Sequence, residues 1–164
     1  MTSDAPPGAD VFSGEGQAKI RKRALKVLGS RMLSRAAVEK RLRELGETEE
    51  AASAAADWLS ECGLVDDAEL AREIARSYAR RGFGARRIRD ELYRRLIPRE
   101  HWDGAMAEAA DGEASGAAEA FIEKKLRGSK AGADDRRRVS AALARRGFSW
   151  DDIGAAWARR GGED

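Results

Sequence analysis

Asp66, Asp67 and Glu69 crowd three carboxylates into four residues, a spacing that could hold a divalent cation or share a proton. The same residues sit at the mouth of a helical pattern, where orphan backbone N–H groups need acceptors, and capping is the preferred reading. The single histidine, His101, lies beside Trp102, and a catalytic base would need an orienting partner that the neighbouring residues do not supply. Cys62 is the only cysteine and cannot close an internal disulfide. There is no phosphate-cradling glycine loop and no His or Cys pair at metal-ligand spacing. The chain is therefore expected to be no enzyme and to carry no cofactor or metal.

The remaining chemistry is that of basic side chains. Net charge is only +2, from 31 basic and 29 acidic residues, but the charge is sorted along the chain. Residues 34–46, 84–97 and 133–147 each carry more basic than acidic residues, whereas 48–61 carries four acids and no base. Within 84–97, Arg86, Asp90 and Arg94, and likewise Arg87, Glu91 and Arg95, make ladders at i, i+4 spacing, which reads as a solvated face of weak ion pairs. Arg136, Arg137, Arg145 and Arg146 have no acid three or four residues downstream, and the run from Lys19 through Arg21, Lys22 and Arg23 to Lys26 contains no acid. The candidate contacts for a partner or for phosphates are Arg21, Lys22, Arg23, Arg89, Arg136, Arg137, Arg145 and Arg146. Trp58, Trp102, Trp150 and Trp157 could stack on bases, although Trp102 and Trp157 fall on expected core stripes, where packing is preferred.

Helices must position these groups. Ala, Leu, Glu, Lys and Arg dominate and β-branched and aromatic residues are sparse, which favours an all-α fold. A three-point pattern recurs at Val38, Leu42 and Ala52, then Ile88, Leu92 and Trp102, then Val139, Leu143 and Ile153, with spacings of 50 and 51 residues. Such a period predicts stacked helical units that share a core and present a face to a partner. Each unit reads as three helices, giving repeats over 18–65, 66–112 and 113–164 behind a disordered tail over 1–17. In the first repeat, helices are expected over about 17–28, 34–45 and 48–61, with Ser34 as an N-cap. Pro98 is expected at the first position of the second repeat's third helix, and Ser149 with Asp152 imitates a capping box. Residues 111–116 read as a loose connection, and 128–132 as a flexible insertion. No apolar run approaches the roughly 18–20 residues of a membrane span.

Several segments together resemble a known family. Gly63-Leu64-Val65-Asp66-Asp67-Ala68-Glu69-Leu70-Ala71 is one and Arg145-Arg146-Gly147-Phe148-Ser149 another, with Ser34 to Leu42 and Gly84 to Leu92 in register between and before them. In order and spacing they look like the RecX family of bacterial recombination regulators, over about residues 18 to 160. The resemblance implies a curved array of three three-helix repeats, without enzymatic activity, that binds RecA. The expected target is chiefly the RecA filament on single-stranded DNA, with strand exchange, ATP hydrolysis and filament growth held back. It also implies a cytoplasmic, monomeric protein of homologous recombination, DNA repair and the SOS response. One departure is Leu96-Ile97-Pro98, where the family pattern usually turns through a Gly-Ile-like pair. A rival reading from the residues alone is a DNA-binding helical module that engages single- or double-stranded DNA through phosphates. A helical adaptor for another protein is a third.

Overall fold

A computed structural model describes residues 14–112 and 116–161. Among these residues the chain forms nine α-helices and one 3-10 turn, and no strand. The helices are α1 (Gly14–Leu28), α2 (Arg35–Glu44), α3 (Glu49–Glu61), α4 (Asp67–Arg80), α5 (Ala85–Arg94), α6 (Trp102–Asp111), α7 (Ala117–Leu126), α8 (Ala133–Arg145) and α9 (Trp150–Gly161). α1 begins three residues earlier than the sequence suggests, so residues 14–17 of the expected tail are helical, and the rest of that tail lies outside the described residues. Half of the loose connection, residues 113–115, lies outside them too. No helix of the described residues is long and apolar enough to cross a membrane.

Contacts divide the chain into two compact units, one running to Leu70 with Arg95–Ile97, the other holding Ala71–Arg94 and everything from Pro98 onward. In the first unit Ile20, Ala24 and Leu28 of α1 meet Val38 and Leu42 of α2 and the alanine face of α3, with Val65 closing the cluster. Small residues at Ala51, Ala52, Ala55 and Ala56 let the helices approach closely. Ser34 caps α2, its Oγ accepting the Ala37 N–H at 3.1 Å, and donates to the Arg95 carbonyl at 2.7 Å. Both roles suit a serine that is only 1% exposed. Thr48 caps α3 in the same way, through the Ala51 N–H at 3.2 Å.

Two acids of the triplet resolve into caps. Asp66 Oδ1 accepts the Glu69 N–H at 2.9 Å, and Asp67 Oδ1 accepts the N–H of Arg35, the first residue of α2, at 2.8 Å. One acidic pair thus satisfies two helix N-termini, whose positive dipole ends favour the negative charge.

In the second unit Ile88 and Leu92 of α5 are buried, and Ile122, Leu126, Val139, Leu143, Ile153 and Trp157 form one core among α7, α8 and α9. All six leading positions of the repeat, Val38, Leu42, Ile88, Leu92, Val139 and Leu143, are buried. Ala52 and Ile153 are also buried, whereas Trp102 is half-buried. Ser149 and Asp152 form the reciprocal capping box at α9, with the Asp152 N–H on Ser149 Oγ at 3.0 Å and the Ser149 N–H on Asp152 Oδ2 at 3.3 Å. Pro98 departs from expectation. It is extended (ψ 139°) and precedes a 3-10 turn over Arg99–His101, so the third helix of that repeat starts only at Trp102. Leu96 turns with φ +57°, the left-handed conformation that glycine adopts freely.

Candidate functional site

Two copies of one tripeptide build the centre of the second unit. Arg81-Gly82-Phe83 ends α4, and Arg146-Gly147-Phe148 ends α8, 65 residues later. The two turns dock through backbone: the Gly84 N–H donates to the Arg146 carbonyl at 2.9 Å, and the Arg86 N–H to the Gly147 carbonyl at 3.1 Å. No side chain fits between them. A Cβ on Gly84 would stand 2.4 Å from the Phe148 nitrogen, and one on Gly147 2.6 Å from the Arg87 nitrogen. Gly147 also has φ +93°, which itself disfavours any other residue.

This close approach fixes Arg146. Its Nη1 donates to the carbonyls of Arg81 and Gly82 at 3.1 and 3.2 Å, and its guanidinium lies 5.3 Å from the Phe83 ring centroid and 4.8 Å from that of Phe121. Arg81 in turn stacks on Tyr78 and Phe83, at 4.9 and 5.2 Å. Lys125 approaches Phe121 at 5.5 Å. Aromatic faces hold all three cations without neutralising them. Together Arg80, Arg81, Lys124, Lys125 and Arg146 line an open depression of about 560 Å³ with Phe121 among its walls and no acidic residue in its lining. Arg80 alone leans on an acid, with Nη2 3.6 Å from Glu73. The two acids of α7 face elsewhere: Glu123 binds Arg160 Nε at 3.1 Å and Glu119 pairs with Arg159. Chemically, the depression presents basic side chains with no carboxylate in its lining.

The eight basic residues marked by sequence fare differently. Arg146 lines the depression, and its partners are carbonyls and rings rather than acids. Arg136 lies 5.3 Å over the Trp157 ring, whose Nε1 donates to Ser140 at 2.9 Å, so Trp157 serves the core. Arg137 is not free: it pairs with Asp134, one turn upstream, at 2.7 Å. Downstream acids alone do not decide the pairing, because long helical side chains lean back toward the N-terminus. In α1, Arg23 pairs with Glu47 and Arg21 covers Trp58 at 5.0 Å. Lys22, Arg89 and Arg145 are exposed and have no ion-pair partner among the described residues.

The first ladder in α5 also needs correction. Arg94 reaches back to Glu91 rather than to Asp90, through Nη2 at 2.6 Å and Nε at 3.0 Å. Glu91 is only 5% exposed, so this carboxylate sits at the buried flank of the helix, and its hydrogen bond raises the Arg94 pKa above the ordinary value. In α2, Arg35 is wholly structural, binding Asp57 at 2.6 Å, Glu39 at 2.8 Å and Ser53 at 2.8 Å. Its pKa is raised chiefly by the hydrogen bond to Asp57, so it stays charged throughout the working pH range.

Comparison with known proteins gives one consistent result. Residues 66–106 match the second three-helix domain of RecX, and residues 113–157 match the third. The chain is 36% identical over 157 residues to "Regulatory protein RecX" of Mycolicibacterium vanbaalenii, covering 90% of this chain and 84% of that protein. It is 31% identical to the protein of the same name from Pseudomonas syringae pv. tomato, covering 88% and 94%. The crystal structure of RecX from Lactobacillus salivarius superposes with a TM-score of 0.79 at 20% identity over 90% of this chain and 97% of that one, a likeness of fold.

Proposed function

The chain belongs to the RecX family, and from that premise we propose that it regulates RecA by binding. The target is RecA, chiefly as the filament on single-stranded DNA, and the outcome is weaker ATP hydrolysis and strand exchange. We further propose that it does so in the cytoplasm as three repeats over 18–65, 66–112 and 113–164, without chemistry of its own. The observation that carries this reading is identity to regulatory RecX proteins along nearly the whole chain. In support, Asp66 and Asp67 are committed to helix caps, while exposed cations such as Lys22, Arg89 and Arg145 stay available for a partner.

The test is inhibition of RecA's single-stranded-DNA-dependent ATPase by the purified protein, paired with capture of RecA in the presence and absence of DNA and a non-hydrolysable nucleotide. Inhibition with capture of the filament is expected. Unchanged ATPase at saturating protein rules the reading out. The basic depression favours a second component, direct contact with phosphates, and salt separates the two. Phosphate contacts weaken steeply with ionic strength, by a log–log slope near −0.7 per contact on single strands, whereas a mainly protein contact weakens less.

A further inference from the structure

Like charges gathered in one recess repel, and a fold gains nothing from keeping them together without a counter-charge. Arg81, Lys124, Lys125 and Arg146 nevertheless share one depression with no acid in its lining, and the acids of the same helix α7 are drawn off to Arg159 and Arg160. Arg146 is pinned by two carbonyls through Nη1 alone, which leaves its Nη2 and Nε donors to be satisfied from outside the protein. Arg81, Lys125 and Arg146 are seated on Phe83 and Phe121 rather than on carboxylates, so each keeps its full charge for an incoming anion.

We propose that this depression binds the phosphates of a single nucleic-acid strand. Three observations select that ligand. Several fixed cations in one open recess match a chain of singly charged phosphates better than one isolated anion. The rings at the recess, Phe83 and Phe121, are already covered by cations, so contact there is to the backbone and independent of sequence. The site is a concave recess, into which a flexible single strand can bend its phosphates more readily than a duplex, whose phosphates are held on a fixed cylinder. The inference does not rest on RecA binding, and its primary test uses no RecA.

The experiment measures fluorescence anisotropy of a labelled oligothymidylate with the full-length protein over a series of salt concentrations. The variants are Lys124→Glu with Lys125→Glu, and Lys124→Gln alone. The control pair, Lys40→Glu with Arg43→Glu, makes the same change in net charge on exposed residues of α2. The recess pair is expected to lose at least about tenfold in affinity and to flatten the salt slope by about 1.4, two phosphate contacts at 0.7 each. The control pair should lose less than about threefold. Lys124→Gln should weaken binding while leaving the melting temperature unchanged or higher, since it relieves repulsion. A merely structural lysine would lower it.

Equal losses in the recess and control pairs would show diffuse attraction and overturn the site. So would wild-type binding by the recess pair, absence of binding by the unmodified protein, or polyglutamate competing as well as oligothymidylate, which would assign the recess to an acidic protein segment. Each variant is also assayed for inhibition of RecA. Loss of DNA binding with RecA inhibition kept supports the recess as a separate site, and RecA inhibition lost with DNA binding kept overturns the regulator's mode of contact and not the recess.

Discussion

Leu96 shows how much one residue can hold back. An L-residue in the left-handed region costs about 1–2 kcal/mol, and Leu96 sits at φ +57° with a side chain 38% exposed, so its burial returns little of that cost. Glycine would remove the strain but loses about 0.4–1 kcal/mol through its freer unfolded chain. Leu96→Gly is therefore expected to stabilise the protein by about 0.5–1 kcal/mol, read as a higher urea midpoint. A lower midpoint would mean that the leucine side chain contributes packing that its exposure hides. Ser34 is the opposite case, since its one hydroxyl caps α2 and also donates to the Arg95 carbonyl, from a position closed to water. Ser34→Ala should cost about 2 kcal/mol, a cap plus a buried hydrogen bond. The matching change at the exposed cap, Thr48→Ala, removes a single hydrogen bond and should cost about 1 kcal/mol.

At the scale of elements, the docked turns of the second unit separate two reasons for a glycine. Gly46 and Gly147 have nearly the same backbone, φ +95° and +93°, but a Cβ on Gly46 meets nothing within 4 Å whereas one on Gly147 meets the Arg87 backbone. Gly46→Ala should cost about 1 kcal/mol of conformational strain, and Gly147→Ala several kcal/mol because α5 must also move. Equal melting temperatures for the two variants would show that the turns separate without cost.

The helices themselves were legible in the residues. Val38, Leu42, Ile88, Leu92, Val139 and Leu143 recur at fixed spacing because each packs at an equivalent position, and Ser34 and Ser149 announce helix starts because capping is local. The start at Trp102 was not legible, because the extended Pro98 and the short 3-10 turn delay a helix whose composition would allow it earlier. The depression was hidden for a different reason. Its cations come from the ends of α4 and α8 and from α7, and only docking of Gly84 on the Arg146-Gly147 turn brings Arg81 and Arg146 together. The duplicated Arg-Gly-Phe is the one trace of it in the sequence, and nothing local to either copy announces that the two turns dock.

For the whole molecule, the separation of structural from available charge sets what a partner can feel. Of the eight basic residues marked by sequence, Arg23 and Arg137 have acidic partners, Arg21 and Arg136 cover tryptophan rings, and Arg146 holds two turns together. Reversing Arg146 would break that junction, so loss of RecA inhibition in such a variant would say nothing about contact. Lys22, Arg89 and Arg145 are exposed on helices, with no ion pair among the described residues to lose, and Glu forms helix about as well as Lys or Arg. The triple variant Lys22→Glu, Arg89→Glu and Arg145→Glu is therefore expected to keep its helical circular dichroism and melting temperature. If about 0.5–1 kcal/mol of attraction is lost at each position, half-inhibition of the RecA ATPase moves upward by at least about tenfold at low salt, and by less as ionic strength rises. Arg137→Glu, which mainly disturbs an exposed pair with Asp134, should move it less than about threefold. A triple variant that inhibits like the unmodified protein would place the RecA contact away from these charges and leave shape and apolar packing to carry it.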